Sequence, residues 1–244
     1  MPRTAREQSE FGYMHLIVRG IGRQLLFEED PDYRYYLSLL KRYSIETGVR
    51  ICAFCLMENH VHLLTYDKDL NIPLFMKKTG ISYTGYFNHK YQRSGHLFQD
   101  RYKSEVIESE DYLLTVFRYI LNNPQKAHIC AASDYKWSSY HAYNSTSSFV
   151  DTRVYKELFG TWNEYAAYIA AKNEDECMEF NSKKDDEWAK RIIQKTLGLE
   201  SGTILQSFDS EKRNSALRML KSQGLSVRQI ERLTGINRGA IQRA

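Results

Sequence analysis

Apolar residues along this chain fall into short dense runs alternating with longer stretches at helical spacing, and turn residues mark the changeovers. The first run, Tyr13 to Val18, mixes aromatic and β-branched residues and stops at Arg19-Gly20, which predicts a strand ending in a turn. From Asp30 to Thr47, Tyr33, Tyr36, Leu37, Leu40 and Tyr43 recur at helical spacing, with Pro31 placed to open a helix and Gly48 to close it. Val49 to Met57 predicts a second strand and His60 to Tyr66 a third; with only Glu58-Asn59 between them, the two form a hairpin. Pro73 opens a helical pattern reaching about Asn88, and Lys103 to Ile107 predicts a fourth strand. Glu110 to Leu121 then predicts a helix with Leu113, Leu114, Phe117, Ile120 and Leu121 on its apolar side and Pro124 just past its end. The order β-α-β-β-α-β-α is that of a split βαβ pair. It predicts an α+β fold, a ferredoxin-like antiparallel sheet with helices on one face.

Beyond Asp134 the pattern weakens, and a Ser-rich stretch leads into helical periodicity around Val154 to Ala171, an expected helical extension of the first domain. Asn173 to Glu187 is dense in charge and poor in large apolar residues, as linkers are. Helices follow over Trp188 to Leu199, Lys212 to Ser222 and Ser226 to Thr234, the last N-capped by Ser226 with Gln229 at the capping-box position. Gly235 supplies a turn, and Asn237 caps a final short helix. The expected division is thus a main domain over 1–172, a linker over 173–187 and a small all-helical module over 188–244.

Composition narrows the class. A formal net charge of +4 permits a nucleic-acid partner without requiring one. Neither the N-terminus nor any later segment approaches the roughly 20 apolar residues of a membrane span, so the chain reads as cytoplasmic, nucleoid-associated if its partner is DNA, and not membrane-bound. Cys52, Cys55, Cys130 and Cys177 are too scattered for a disulfide framework. Cys52 and Cys55 spell CxxC inside an apolar run with no second pair to close a zinc site, and are expected to be core thiols.

His60-Val-His62 carries the first chemical signal. Side chains alternate along a strand, so both imidazoles share a face and can meet one divalent ion such as Mg²⁺ or Mn²⁺. The second signal is the pair Tyr119 and Asn123, four apart at the end of the Glu110 helix and expected on one face of it. A phenol beside a metal is a workable nucleophile toward a phosphodiester. With 18 tyrosines in the chain, helix position alone does not select Tyr119. Glu58 in the hairpin turn is either a partner of an imidazole or, as turn residues usually are, simply solvated. Arg19, Lys90, Arg93, Arg101 and Lys103, interleaved with Tyr91, Phe98 and Tyr102, suggest a surface that grips phosphates and stacks bases.

Several segments, in order, resemble the IS200-like single-tyrosine transposases, in particular the branch associated with repetitive extragenic palindromes. They are His15-Leu-Ile-Val-Arg-Gly20, Met57-Glu-Asn-His-Val-His-Leu-Leu64, Tyr83-Thr-Gly-Tyr-Phe-Asn88, Ser94 to Ser104, Tyr112 to Pro124 and Trp137-Ser-Ser-Tyr140, spread over about residues 12 to 143. The resemblance implies that His60 and His62 are metal ligands and Tyr119 the attacking residue. Asn123 falls where the family places a third, polar ligand, although an amide there also suits a helix cap before Pro124. It implies a metal-dependent transposase that cleaves and rejoins single-stranded hairpin or palindromic-repeat DNA through a 5′-phosphotyrosine, as a monomer or homodimer. Two other readings stand beside it: a domesticated, non-catalytic DNA-binding regulator, and a replication- or relaxase-type nickase. Leu225 to Arg243 resembles a helix-turn-helix with Val227, Ile230, Leu233, Ile236 and Ile241 at core spacing, which turns Arg238, Gln242 and Arg243 toward duplex DNA. Its second helix has barely two turns, and a small docking module is the competing reading.

Overall fold

The computed structural model describes residues 9–145, 148–175, 177–178, 186–199, 201–223, 225 and 227–244. The expected N-cap Ser226 and part of the expected linker lie outside them. The chain divides into two units, Met1–Phe180 and Asn181–Ala244, each with its own apolar core.

In the first unit the alternating runs become a four-stranded sheet of β1 (Tyr13–Arg19), β2 (Arg50–Met57), β3 (His60–Tyr66) and β4 (Lys103–Ile107). The order is β2-β3-β1-β4 and every pairing is antiparallel. Only β2 and β3 are joined by a hairpin; the chain crosses over through α1 (Asp30–Thr47) and α2 (Ile72–Lys90), and α3 (Glu110–Leu121) follows β4. Residues on both faces of the central strands are buried, from Leu16, Val61 and Leu63 on one to Ile17, His62 and Leu64 on the other. The sheet is therefore covered on both sides. α3 takes the face that carries the histidines, and α1 packs on α2 and on β2. Each such aliphatic side chain stabilises the fold by roughly 1.5–3 kcal/mol.

The start of α1 is fixed by a buried carboxylate. Asp32 accepts from the N–H groups of Glu28 and Glu29 at 2.9 and 3.2 Å, satisfying donors that a helix end leaves open. The same carboxylate takes the Tyr86 and Tyr91 hydroxyls at 2.9 and 2.7 Å and the Lys90 ammonium at 2.5 Å, which ties the end of α2 to the start of α1. Burial opposes ionisation of Asp32, but these donors outweigh it and hold its carboxyl below the ordinary range. Lys90 and Tyr91, expected at a DNA surface, are thus spent inside the fold, with Glu29 as a second partner of Lys90. Arg93 likewise donates to Gln24 at 2.7 Å.

Gly20 ends β1 where the backbone turns back on itself. A Cβ there would lie 2.2 Å from the carbonyl oxygen of Gln24, while the Gly20 N–H donates to Asn59 at 2.9 Å. Gly20→Ala is expected to cost about 1–3 kcal/mol by forcing that turn open, read as a lowered Tm in thermal denaturation. An unchanged Tm would show that the turn yields freely.

After α3 come the short helix α4 (Asn123–Lys126), then α5 (Arg153–Leu158) and α6 (Trp162–Ala170) in place of one continuous helix, because the chain is extended at Phe159 and Thr161 restarts it with a capping box to Glu164. Tyr140, Tyr143, Tyr155, Phe159 and Tyr165 stack into an aromatic cluster that joins Phe117 of α3 and belongs to the same core as the sheet. Cys52 and Cys55 are fully buried and burial pushes both thiols up, as inert core residues.

The second unit contains α7 (Asp186–Leu197), α8 (Ser210–Ser222), α9 (Val227–Thr234) and α10 (Arg238–Arg243) around Ile193, Leu205, Leu217, Leu220, Ile230 and Ile241. Gly235, at φ +71°, makes the turn between the last two helices, and Asn237 caps α10 by accepting from the Ala240 N–H at 2.9 Å. Among the described residues no helix is long and apolar enough to cross a membrane.

Candidate active site

Strand alternation and register gather the site. His60 and His62 share a face of β3; opposite them stand Met57 and Cys55 of β2, and Arg19 and Ile17 of β1. The two imidazole rings lie 5.0 Å apart. Tyr119 of α3 comes down on this face, its ring 5.8 Å from that of His62. A cavity of about 230 Å³ opens among Arg19, Met57, His60, His62, Tyr119, Asn123, Lys126 and Ala127. Five of the residues singled out from the sequence, Arg19, His60, His62, Tyr119 and Asn123, therefore border one space.

Asn123 is not on the Tyr119 helix. α3 ends at Leu121, Asn122 leaves helical geometry, and Asn123 begins the separate helix α4. Pro124 is the cause: it has no N–H to give the Ile120 carbonyl, so the regular ladder cannot continue. The Asn123 side chain compensates, its Nδ2 donating to the carbonyls of Tyr119 at 3.0 Å and Ile120 at 3.5 Å. The cap and ligand readings are compatible, since the cap uses the amide nitrogen and a metal would use Oδ1.

His62 is 2% exposed, and burial first, then its neighbours His15 and His60, holds its pKa well below the ordinary histidine value. That favours the neutral imidazole, the form in which histidine binds a metal. At His60, Nδ1 lies 2.7 Å from Asn59 Oδ1, and Asn59 Nδ2 donates to the Arg23 carbonyl. An amide oxygen only accepts, so His60 Nδ1 carries the proton and Nε2 the lone pair. The turn residue that touches an imidazole is thus Asn59; Glu58 has an exposed side chain, and its backbone carbonyl accepts from Leu26 and Phe27.

Among the described residues no group of three or more His, Cys, Asp or Glu is placed to hold a metal ion. The donor set around the cavity is therefore two imidazoles and one neutral amide. That set suits a divalent ion that keeps water or phosphate oxygens in its remaining positions.

Lys126, His15 and Glu105 also stand at or behind the site, with no expectation from the sequence. Lys126 lies seven residues after Tyr119 and three after Asn123, a helical spacing that could have found it; its Nζ sits 4.1 Å from the centroid of the Tyr119 ring. His15 is fully buried, with Nε2 at 3.0 Å from His62 Nδ1 and Nδ1 at 3.3 Å from Glu105 Oε2. Only long-range pairing of β1 with β3 and β4 brings these together. Of the remaining expected DNA contacts, Lys103 is exposed on the edge strand β4, on the histidine face by register, and Arg101 is exposed in the loop before it; neither borders the cavity. Arg238, Gln242 and Arg243 are exposed on α10 of the second unit, Arg238 paired with Glu231.

No curated protein matches this chain in sequence at a significant level. Among solved structures, a REP-associated tyrosine transposase bound to a REP hairpin is 16% identical and superposes with a TM-score of 0.54 over 75% of this chain and 98% of that one. A Deinococcus radiodurans protein named as a transposase is 19% identical, with a TM-score of 0.35 over 50% of this chain and 97% of that one. The sheet and helices thus have the fold of the REP-associated enzyme. The model of the IS200-like transposases matches residues 9–123, from the strand before the site to Asn123 itself. Over these residues, just under half of its length, the chain is similar to the IS200-like transposases.

Proposed function

We propose that this protein is a metal-dependent single-strand DNA transferase whose nucleophile is Tyr119, acting on hairpin or palindromic-repeat DNA. The observation that carries this reading is the convergence of Tyr119, His60 and His62 on one cavity, at ring separations of 5.8 Å and 5.0 Å. His60, His62 and the Asn123 amide oxygen would hold a divalent ion, Mg²⁺ or Mn²⁺. Such an ion would supply Lewis-acid polarisation of the scissile phosphate. Tyr119 Oη attacks the phosphorus, the bond from phosphorus to the 3′ oxygen breaks, and the phenolic proton passes to that oxygen. The products are a 5′-phosphotyrosine and a free 3′-hydroxyl, and reversal by another 3′-hydroxyl rejoins the strand. Arg19 and Lys126 border the cavity with positive charge where the phosphate would sit.

The hairpin substrate is supported by the fold shared with a transposase solved on a REP hairpin. Arg101 and Lys103, exposed before and on β4, would add contacts to the strand's phosphates, and Arg238, Gln242 and Arg243 on α10 would add duplex contacts. Hairpins labelled at either end distinguish this chemistry. With Mn²⁺, the 3′-end label is expected to travel with the protein and the 5′-end label to leave on a fragment ending in a 3′-hydroxyl. A 5′-end label on the protein would mean attack with the opposite polarity and would overturn the reading.

A further inference from the structure

His15 and Glu105 are not among the residues that border the cavity, yet they form a continuous chain to one that does. Register sets it up: His15 of β1 pairs with Glu105 of β4 on one side, and lies two residues along, on the same face, from Ile17, which pairs with His62 of β3 on the other. His15 has no exposed surface, and both of its ring nitrogens are used, Nδ1 toward Glu105 at 3.3 Å and Nε2 toward His62 at 3.0 Å. Glu105 is itself held, by the Met178 N–H at 3.2 Å and the Tyr112 hydroxyl.

Proton bookkeeping along this chain has one solution for neutral rings. A carboxylate only accepts, so His15 Nδ1 is the donor and His15 Nε2 has the lone pair. That lone pair can be satisfied only if His62 Nδ1 carries the proton. His62 Nε2 is then the unprotonated nitrogen, the one left for the cavity. Both rings are buried, which disfavours a charge on either and leaves the tautomer to the hydrogen bonds. At His60 the Asn59 amide imposes the same tautomer by a separate bond.

We infer that His15 and Glu105 are positioning residues: the relay from Glu105 through His15 locks His62 in its Nδ1–H tautomer, so that Nε2 is pre-set as a metal-ligating lone pair. The inference deepens the reading of His60 and His62 as ligands and rests on it. A ligand histidine with its outer partner removed commonly loses about 10–100-fold in metal affinity.

The test reads the tautomer directly, in metal-free protein. Long-range ¹⁵N–¹H correlation spectra of the imidazoles are expected to show wild-type His62 protonated at Nδ1. His15→Phe, which keeps a ring but no acceptor, is expected to lose that state and to weaken Mn²⁺ binding by on the order of 10–100-fold, followed by the resonance signal of free Mn²⁺. His15→Gln, whose amide oxygen reaches toward the same position, is expected to restore most of the affinity. Glu105→Ala, at a partly exposed site, provides a second variant that removes the relay without touching the buried ring, and is expected to give His62 as a tautomer mixture. Wild-type His62 protonated at Nε2 would overturn the inference. So would either variant, folded, keeping both the Nδ1–H state and wild-type Mn²⁺ affinity. A wild-type protein with the expected tautomer but no Mn²⁺ binding would leave the lock standing and remove the metal reading alone.

Discussion

Tyr119→Phe protein, mixed with a single-stranded hairpin and Mn²⁺, is expected to form no covalent protein–DNA adduct while binding the hairpin as the wild type does. The substitution removes a single oxygen. The ring that remains keeps its packing against His15 and His62, at centroid distances of 6.1 and 5.8 Å, and its contact with the Lys126 ammonium. The side chain is 2% exposed, so Tm measured alongside shows whether the variant is folded. What is lost is the oxygen that the proposed reaction joins to phosphorus. The loss of adduct should therefore be complete within detection, in contrast to the partial losses that follow removal of a stabilising group. A denaturing gel with labelled DNA reads it, and persistence of the adduct would assign the chemistry to another tyrosine.

His60→Ala and His62→Ala are expected to slow cleavage about a thousandfold, since charge stabilisation by a bound metal supplies several kcal/mol and each 1.4 kcal/mol is a factor of ten. The two variants should differ in stability. His60 is half-buried at the start of β3, and its partner Asn59 can turn to water. His62 is buried, and removing it leaves the inward nitrogen of His15 with no partner, a penalty of about 1–3 kcal/mol. His60→Ala is accordingly the cleaner probe of the metal, and His62→Ala should show a lowered Tm as well. Hairpin affinity, proposed to come from cations and stacking surfaces outside the imidazole pair, is expected to persist in both. Full-rate cleavage by folded His60→Ala protein would remove the metal from the account.

Much of the fold was written in local periodicity. β3 and β4 begin and end where the apolar runs do, and α3 spans Glu110–Leu121 because Ser109 caps its start and the approach to Pro124 stops it. Those signals lie within a few residues of the element they define. The split of the Val154 to Ala171 region into α5 and α6 was less legible, because the apolar spacing carries across Phe159-Gly160 while the backbone does not. Weak periodicity around Tyr140 and Tyr143 also concealed core residues: short 3₁₀ turns, not a helix, present them to Tyr165 and Phe117.

The site divides along the same line. His60 and His62 were visible as a pair because two residues on one strand are related by the pleat alone. Lys126 was within reach of helical arithmetic from Tyr119. His15 and Glu105 were not, since their partnership depends on which strands lie side by side and in what register, and neither is encoded in the spacing of any one segment. Asn123 shows a milder version of the limit: the four-residue separation from Tyr119 was sound, but Pro124 breaks the helix between them and gives the amide a backbone bond of its own.

In the proposed reaction Tyr119 becomes covalently joined to DNA in the cavity it shares with His60 and His62. Trapping the wild-type adduct on a hairpin with Mn²⁺, digesting the DNA to a short remnant and fragmenting the peptides by tandem mass spectrometry tests it most directly. A nucleotide-sized mass is expected on Tyr119, within the peptide that ends at Lys126, forming about a thousandfold more slowly in His60→Ala protein. The same mass on Tyr112, or on any tyrosine away from the histidine pair, would contradict it.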